Sequence, residues 1–244
     1  MEDGQCGKHL FSYFYMKKII GLIPARSGSK GIPHKNIVNL GGLPLIEYSI
    51  RACKRSKLSD CFCSSDSEEI LDIGEKLGSK IIKRPIEYAT DLSSMLGVVK
   101  HFRDVTISLD WDAVYLLYPT YPYRDEHLID SAINVYEKNS NNSLIGFHIA
   151  YTHPYLCYTL ADKNISQIID FDINKNYRRQ HYPQIYELCL AVCIIPRNEI
   201  DNLNNQLYNT KTKSFIINNK KSILNIDTIE DLKYAEFLIQ TDSS

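Results

Sequence analysis

The sequence predicts an α/β fold of three layers, in which helices cover both faces of a mixed, mostly parallel sheet. Short apolar runs typical of buried parallel strands alternate with segments whose apolar residues recur at helical spacing. The first run, at residues 19–23, is followed by a polar loop that contains glycine. A length of 244 residues with 44% apolar residues suits one large domain with a sizeable core.

The first helix is predicted from a start signal and from the helical spacing of its apolar residues. Pro44 is expected to open this helix, because proline is favoured in the first helical turn. Its apolar residues fall on one face: Leu45, Ile46, Ile50 and Cys53. The pattern therefore predicts a helix that packs on the sheet.

The next elements repeat the alternation of strand and helix. Residues 61–63 predict a second strand, whose two cysteines share one face. Asp66 is expected to cap the following helix, with Glu69 completing a capping box. A short strand near residues 80–82 and a helix over residues 93–103 come next.

The middle of the chain carries the clearest strand after the first one. Residues 113–118 form an apolar run that Pro119 and Pro122 end. An amphipathic helix is predicted over residues 128–136, and residues 143–149 predict another strand.

Periodicity is lost over residues 150–186, which are rich in Tyr, Asp, Asn and Arg. We expect this stretch to be an insertion or arm that contacts a second subunit. Residues 190–195 and 223–226 predict two further core strands, and Thr228 is expected to cap the final helix.

Length and composition limit how the chain can be organised and which classes of partner it can bind. Because Met16 offers an alternative start, we expect a disordered extension at residues 1–15 and one domain over residues 16–244. The 28 basic and 29 acidic residues nearly balance, so we expect no nucleic-acid or membrane partner. No apolar run reaches the length of a membrane span. Seven scattered cysteines argue against a disulfide framework and favour a reducing cytoplasm.

The first loop, residues 25–36, carries the chemistry that is easiest to interpret. Ligands of open α/β sheets bind beyond the carboxyl ends of the strands, where this loop is expected. Arg26, Lys30 and Lys35 supply three cations, and two glycines let the backbone approach a ligand closely. The loop thus indicates a site for a triphosphate or a pyrophosphate.

The standard nucleotide-binding motifs do not account for this loop. It contains neither the Gly-x-Gly-x-x-Gly dinucleotide fingerprint nor the Gly-x4-Gly-Lys-Ser/Thr of a P-loop. On composition alone, a solvated basic turn between strand and helix remains an open alternative.

A longer motif surrounds the loop and reads Ile23-Pro24-Ala25-Arg26-Ser27-Gly28-Ser29-Lys30-Gly31-Ile32-Pro33-His34-Lys35-Asn36. This motif closely resembles the signature of the acylneuraminate cytidylyltransferases, also called CMP-sialic acid synthetases. The resemblance continues at Leu43-Pro44-Leu45-Ile46, Ser64-Ser65-Asp66, Arg84-Pro85 with Asp91, Leu116-Leu117-Tyr118-Pro119-Thr120 with Arg124, and Ile226-Asp227-Thr228 with Glu230-Asp231-Leu232. It implies a nucleotide-diphospho-sugar transferase-like fold with a small dimerisation arm, and a homodimer.

The resemblance implies that CMP is transferred from CTP to the anomeric hydroxyl of an acidic sugar, a nonulosonic acid such as sialic acid, while pyrophosphate leaves. Because the sugar oxygen attacks the α-phosphorus, the protein must neutralise charge and hold its substrates in line. Arg26 and Lys30 are expected to be catalytic by gripping phosphates and stabilising the developing charge. The implied nucleotide-binding residues are Ala25, Arg26, Ser29, Lys30, Lys35, Asn36 and Arg84.

The resemblance also implies a Mg²⁺ ion that bridges phosphate oxygens and protein carboxylates. Asp227 follows the last predicted strand, at the edge of the sheet where the ligand is expected, and is the predicted metal ligand. A carboxylate near a helix N-terminus is the open alternative for Asp227. Asn225 stands where the family usually has a further Asp, and loss of that charge should weaken metal binding.

Shorter matches imply which residues contact the sugar, a set that we call the sugar side of the site. His153-Pro154 resembles a His-Pro near the family's sugar site, and Arg179-Gln180 resembles an Arg-Gln segment near the sugar carboxylate. A structural histidine and a solvated pair of arginines are the open alternatives. The predicted sugar-contacting residues are Tyr118, Thr120, Tyr121, Arg124, His153, Arg179 and Gln180.

The chain departs from the family pattern on this sugar side. Tyr118 stands for a usual Gln, Tyr121 for a usual Ser, and Leu188-Cys189-Leu190 for a usual Pro-Asn-Gly. Added tyrosines favour apolar contact, and loss of Asn-Gly removes hydrogen-bonding groups for a polyhydroxylated sugar. These departures indicate that the chain acts on a different sugar from the one usual in the family. A non-catalytic nucleotide-binding paralogue and a nucleotidyltransferase for sugar 1-phosphates remain alternatives.

Overall fold

The computed structural model describes residues 17–139, 142–175 and 177–242. The predicted extension at residues 1–15 lies outside the described residues. The strands of the described part are β1 (Ile19–Pro24), β2 (Asn39–Leu40), β3 (Leu43–Pro44), β4 (Cys61–Ser65), β5 (Lys80–Lys83), β6 (Ala113–Leu116), β7 (Leu144–Ile149), β8 (Tyr158–Ala161), β9 (Asn164–Gln167), β10 (Tyr186–Pro196) and β11 (Lys213–Ile216). Its α-helices are α1 (Leu45–Arg55), α2 (Glu68–Lys76), α3 (Met95–Val105), α4 (Glu126–Lys138) and α5 (Ile229–Asp242).

Seven of these strands form one mixed sheet in the order β11-β7-β10-β6-β1-β4-β5. Neighbouring strands are parallel except at β10, which is antiparallel to both β6 and β7. The strand order reverses at β1, because β4 and β5 follow on one side while β6 lies on the other. A ligand crevice is expected at such a reversal, beyond the carboxyl ends of the strands.

Two apolar clusters fill the space between the sheet and its helices. Ile50 of α1 and Ile129 of α4 belong to the cluster on one face, and Phe102 of α3 belongs to the cluster on the other. In β4, Cys63 contributes to the first cluster and Phe62 to the second, because side chains of a strand alternate between faces. The predicted three-layer arrangement is therefore confirmed.

Most strands and helices lie close to where the sequence places them. Helix α1 begins directly after Pro44. Cys61 and Cys63 of β4 are both buried in the same cluster, as predicted. At the final helix the Thr228 hydroxyl accepts a hydrogen bond from the Asp231 N–H at 3.2 Å, and the Asp231 carboxylate accepts the Thr228 N–H at 2.8 Å. Thr228 thus caps α5 as predicted.

The predicted strand at residues 223–226 is wrong. The segment is irregular, and the Ile226 N–H donates to the Thr120 carbonyl oxygen at 2.8 Å. Its apolar pattern reflects burial beneath α5, where Ile226 packs with Leu232 and Ala235. The edge of the sheet is formed instead by β11, whose four residues are two polar ones followed by two apolar ones and so lack the alternation that predicts a strand.

Two further predictions need correction. Ser67, not Asp66, caps α2, because the Ser67 hydroxyl accepts the Ile70 N–H while the Asp66 carboxylate binds Ser27. The stretch at 150–186 contains regular structure that the sequence did not predict, a two-stranded hairpin of β8 and β9. All eight residues of this hairpin are exposed, so it lacks the buried face that produces a strong strand pattern. Among the described helices, none is long and apolar enough to cross a bilayer.

The close packing around β1 gives a testable prediction. A Cβ atom on Gly21 would lie 2.4 Å from Cys53 Sγ and 2.9 Å from Leu117 Cδ1, whereas a Cβ on Gly28 would meet no atom within 4 Å. We expect Gly21→Ala to lower the free energy of unfolding by about 1–3 kcal/mol through overpacking. The matched variant Gly28→Ala should change it by less than about 0.5 kcal/mol. Urea denaturation of both variants measures the difference, and equal effects would contradict the packing described for β1.

Candidate functional site

The candidate site lies at the sheet edge where β1, β4, β5 and β6 end. These four strands run in the same direction, so the segments that follow them meet at this edge. The antiparallel strand β10 begins at the same edge, and β7 ends there. The first loop therefore lies next to the segments that follow β4 and β5 on one side and β6 on the other.

Asp66, directly after β4, holds the beginning of the first loop. The Ser27 N–H donates to Asp66 Oδ1 at 2.9 Å, and the Ser27 hydroxyl donates to Asp66 Oδ2. Burial opposes ionisation of this carboxyl, but the hydrogen bonds from Ser27 outweigh it and hold the pKa of Asp66 below its usual range. Asp66 therefore stays ionised and fixes the loop at Ser27.

Asp91 brings two cations of the first loop together. Its Oδ1 lies 2.7 Å from Arg26 Nη2, and its Oδ2 lies 3.1 Å from Lys30 Nζ. The ammonium of Lys30 and then the guanidinium of Arg26 hold the pKa of the Asp91 carboxyl below its usual range. The Lys30 side chain is 81% exposed, so a dissolved anion can reach it. Arg26 and Lys30 are thus placed to grip one anionic group between them.

The third loop cation pairs with the predicted metal ligand. Lys35 Nζ lies 2.6 Å from Asp227 Oδ1, and the Asn225 amide donates to Asp227 Oδ2. The Asp227 backbone also closes on the loop, because a Cβ on Gly31 would lie 2.2 Å from the Asp227 carbonyl oxygen. A side chain at Gly31 would therefore push Asp227 away from the loop.

Two of the predicted nucleotide-binding residues support the backbone at this edge: Asn36 supports the first loop, and Arg84 supports the end of β4. The buried Asn36 donates through Nδ2 to the Arg26 carbonyl oxygen at 2.9 Å. Arg84, also buried, donates from Nη2 to the Ser64 carbonyl oxygen at 2.6 Å and from Nε to the Ser64 hydroxyl at 3.2 Å. Burial lowers the pKa of the Arg84 guanidinium to about 10, while the negative charge of Asp66 raises it. The guanidinium is cationic at neutral pH.

Ala25 and Ser29 complete the predicted nucleotide set. The side chain of Ala25 is fully buried at the end of β1, and Ser29 is half-buried in the loop. The structure thus collects all the predicted nucleotide residues at one edge, around β1, β4 and β5.

Asp227 fits the metal role better than Asn225 does. Among the described residues, no group of three His, Cys, Asp or Glu side chains could hold a metal ion alone. Mg²⁺ commonly takes one or two carboxylates and completes its shell with phosphate oxygens and water, a donor set that Asp227 fits. Asn225 turns its amide NH₂ toward Asp227, and its Oδ1 is buried without a hydrogen-bond partner. In this orientation Asn225 offers no oxygen beside Asp227.

The segment after β6 carries the other half of the site. Tyr118 and Thr120 are half-buried, and Tyr121 is 9% exposed. Arg124 is fully buried, and its Nη2 donates to the Ser49 hydroxyl at 2.7 Å and to the Tyr118 carbonyl oxygen at 3.3 Å. Burial lowers the pKa of this guanidinium. Arg124 therefore supports the backbone of Tyr118 from inside, and its side chain does not reach the open surface.

His153 and Arg179 lie together on the arm. They line one cavity of about 190 Å³, and Gln180 is exposed beside it. The His153 Nδ1 accepts the Tyr155 N–H at 3.2 Å, so its Nε2 carries the proton and donates to the Pro183 carbonyl oxygen at 3.1 Å. Both ring nitrogens are thus used within the arm, which favours the structural interpretation of His153.

Sequence reasoning assigned Asp66 only to a helix cap and gave Asp91 no role, yet both hold the first loop. The available signal was an Asp directly after β4 and another after β5, at the edge where ligands of such sheets bind. Their partners Ser27, Arg26 and Lys30 lie far from them in the chain, so spacing alone does not pair them.

The chain resembles known proteins over most of its length. A family model described as cytidylyltransferase matches residues 20–242. The chain is 32% identical over 227 residues to an N-acylneuraminate cytidylyltransferase of Escherichia coli O18:K1:H7, covering 89% of this chain and 51% of that protein. It is 28% identical over 233 residues to a CMP-N,N'-diacetyllegionaminic acid synthase of Legionella pneumophila, covering 91% and 97%. The chain therefore spans about half the length of the first relative.

A solved structure shares the fold. It is that of CMP:2-keto-3-deoxy-manno-octonic acid synthetase complexed with CTP, with a TM-score of 0.70 at 14% sequence identity. The match covers 92% of this chain and 99% of the solved one. The likeness confirms the predicted nucleotide-diphospho-sugar transferase-like fold.

The pairing of Asp91 with two cations gives a prediction about anion affinity. In the free protein this carboxylate competes with any phosphate for Arg26 and Lys30. Asp91→Asn should therefore tighten pyrophosphate binding by about two- to fivefold, the size expected when exposed ion pairs no longer compete. Isothermal titration calorimetry with pyrophosphate measures the change.

Asp201→Asn is the matched control, because Asp201 also bridges two cations, Lys100 at 3.2 Å and Arg103 at 2.6 Å, but between α3 and the segment after β10. This control should leave pyrophosphate affinity unchanged. Weaker binding by Asp91→Asn, or an equal gain in both variants, would show that Arg26 and Lys30 do not hold the anion.

Proposed function

Since the chain belongs to the cytidylyltransferase family, we propose that it transfers CMP from CTP to the anomeric hydroxyl of a sialic-acid-like nonulosonic sugar and releases pyrophosphate. The observation that carries this proposal is the convergence of Arg26 and Lys30 on one carboxylate at the carboxyl edge of the sheet. Relatives named for acylneuraminate and for diacetyllegionaminic acid support an acidic sugar as the acceptor.

In the proposed reaction the anomeric oxygen of the sugar bonds to the α-phosphorus of CTP, and the bond to the departing pyrophosphate breaks. Negative charge builds up on the phosphate oxygens during this step. Arg26 and Lys30 would exchange the Asp91 carboxylate for phosphate oxygens and stabilise that charge. Asp66 and Asn36 would keep the loop in place, because they bind its backbone at Ser27 and Arg26.

Mg²⁺ is the proposed cofactor, and Asp227 is the residue that would hold it together with phosphate oxygens. When bound, the ion would neutralise phosphate charge and orient the triphosphate. Lys35, at 2.6 Å from Asp227 Oδ1, holds this carboxylate against the first loop.

The strand order divides the proposed site into two halves. CTP is assigned to the side of β1, β4 and β5, where the loop cations and Arg84 lie. The sugar is assigned to the side of β6, β10 and β7, where Tyr118, Thr120 and Tyr121 lie and from which the arm projects. Arg179, on the arm, is the proposed partner of the sugar carboxylate.

We also propose a homodimer that forms through the arm. Apolar side chains are unusually exposed there and need cover. The exposed residues include Tyr151, Tyr158, Leu160, Ile165, Ile168 and Tyr177. A cytoplasmic location is part of the proposal, because the six cysteines of the described residues are all free thiols that suit a reducing compartment.

A second candidate function is nucleotide binding without turnover. The observation that favours it is Asn225, whose amide donates to Asp227 and removes a charge from the metal site. Under this alternative CTP binds the loop, Mg²⁺ does not tighten the binding, and no pyrophosphate is released.

Turnover tests the proposed function directly. With CTP, Mg²⁺ and a panel of nonulosonic acids, the chain should release pyrophosphate with at least one sugar. Arg26→Ala should lower kcat/KM by about 10²–10³-fold, because a donor to the developing charge is lost. Arg55→Ala, an exposed arginine at the end of α1, is the control and should leave kcat/KM unchanged. CTP binding without release by any sugar would favour the second candidate, and no CTP binding would contradict both.

Asn225 provides a separate prediction about the metal. Asn225→Asp adds a carboxylate beside Asp227, so the Mg²⁺ concentration for half-maximal activity should fall by about tenfold. Asn198→Asp, at the opposite edge of the sheet after β10, adds the same charge without a metal site and should have no effect. An unchanged or increased Mg²⁺ requirement in Asn225→Asp would argue against Asp227 as the metal ligand.

A further inference from the structure

A carbonyl group of the segment after β6 binds the backbone just before Asp227. The Ile226 N–H donates to the Thr120 carbonyl oxygen at 2.8 Å. Ile226 is itself fully buried in the apolar cluster beneath α5. Because Asp227 is the next residue, the position of Thr120 determines where the Asp227 main chain enters the site.

A side chain of the same segment binds the backbone after Asp227. The Tyr123 hydroxyl donates to the Ala235 carbonyl oxygen of α5 at 2.5 Å, and the Tyr123 ring packs against the apolar cluster beneath that helix. The Asp231 carboxylate of α5 in turn accepts the Asp227 N–H at 3.0 Å. The segment of residues 118–124 thus contacts the chain on both sides of Asp227.

Arg124 and Ser49 fix this segment from inside. Arg124 Nη2 donates to the Ser49 hydroxyl at 2.7 Å and to the Tyr118 carbonyl oxygen at 3.3 Å, and the Ser49 hydroxyl donates to the same carbonyl oxygen at 3.4 Å. Within the segment, the Tyr121 N–H donates to the Tyr118 carbonyl oxygen at 3.2 Å. Since Ser49 belongs to α1, these hydrogen bonds join the segment to a helix that packs on the sheet.

The burial of Arg124 has an energetic cost. Its side chain is 1% exposed, and its Nε and Nη1 are buried without a hydrogen-bond partner. No carboxylate of the described residues forms an ion pair with its guanidinium. A buried charge without a counter-ion destabilises the fold, and an apolar side chain of similar size would avoid that cost. What distinguishes Arg124 from an apolar core residue is therefore its hold on Ser49 and on the Tyr118 carbonyl oxygen.

We propose that Arg124 and Ser49 are positioning residues for Asp227, because they fix the segment whose Thr120 carbonyl oxygen holds the chain where this carboxylate faces the first loop. The inference rests on the proposed role of Asp227 as the Mg²⁺ ligand. Both side chains are buried, so they act through the backbone and touch neither the nucleotide nor the sugar. The proposal gives Arg124 a role that its burial allows, in place of the predicted contact with the sugar.

The proposed role concerns the metal and not the loop cations. Arg26 and Lys30 pair with Asp91, which comes from the segment after β5 and not from residues 118–124. Loosening residues 118–124 should therefore weaken Mg²⁺ binding and leave the affinity for phosphate groups without metal unchanged.

Two variants of the full chain test this separation. Ser49→Ala removes one hydrogen bond from the Tyr118 carbonyl oxygen, and Arg124→Met removes the other while keeping a long side chain in the core. Calorimetry measures the affinity for CTP with and without Mg²⁺. In both variants the affinity without Mg²⁺ should be unchanged. The Mg²⁺ concentration that half-saturates the CTP complex should rise by about tenfold, the loss expected when a group that orients a metal ligand is removed.

Amide hydrogen exchange of the protein without metal or nucleotide tests the positioning itself. The reference is the Gly21 N–H of β1, which donates to the Asp60 carbonyl oxygen at 2.9 Å. Relative to this reference, exchange of the Ile226 N–H should become about tenfold faster or more in both variants, because its acceptor is no longer held in place.

Thr106→Ala is the matched control. The buried Thr106 hydroxyl donates to the Phe102 carbonyl oxygen at 2.7 Å and accepts the Trp111 Nε1–H at 3.2 Å, between α3 and β6 at the opposite edge of the sheet. This variant loses the same kind of buried hydrogen bond. It should change neither the Mg²⁺ dependence of CTP binding nor the relative exchange of the Ile226 N–H.

Three results would overturn the positioning role. They are an unchanged Mg²⁺ dependence and Ile226 exchange in both Ser49→Ala and Arg124→Met, an equal effect of Thr106→Ala, and weaker CTP binding without Mg²⁺ in the two variants. If Mg²⁺ does not tighten CTP binding to the wild type, the proposed metal role of Asp227 and the inference are both wrong. A wild type that responds to Mg²⁺ beside variants that respond equally would instead contradict the inference alone.

Discussion

Carboxylates from three separate segments hold the first loop in place, and the site depends on this interaction. Asp66 comes from the end of β4, Asp91 from the segment after β5, and Asp227 from the segment before α5. The loop has little regular structure of its own, and its three cations would repel one another without these anions. The proposed phosphate site is therefore a product of the whole sheet edge and not of the loop motif alone.

The order of the strands divides the candidate site into two halves that are held together by different interactions. The proposed phosphate half is built around β1, β4 and β5, whose following segments are joined by an ion pair and hydrogen bonds. The proposed sugar half lies over β6, β10 and β7, where Tyr121 and Cys189 of the irregular part of β10 are buried in one apolar cluster. Under the proposed function, changes in the second half would alter the choice of sugar without disturbing the cations that are proposed to grip the triphosphate.

The sequence predicts the parts of the fold that depend on local pattern. Buried strands and amphipathic helices appear where apolar periodicity places them, and a cap such as Thr228 is found from its neighbours. The same reasoning fails where a distant group competes for a side chain. The Asp66 carboxylate binds Ser27 instead of capping α2, the helix that follows it. The site residues near β1 could be named from a motif. Their carboxylate partners, the buried position of Arg124 and the burial of Tyr121 and Cys189 in one cluster depend on three-dimensional packing that spacing does not encode.

A crystal structure of the chain with CTP and Mg²⁺ tests the central claim most directly. The account predicts that triphosphate oxygens replace the Asp91 carboxylate on Arg26 and Lys30, while Asp66 keeps its hydrogen bonds to Ser27. The cytidine should lie toward β4 and β5, which leaves the side of Tyr118 open for the sugar. A triphosphate bound elsewhere, with Asp91 still paired to both cations, would contradict the account.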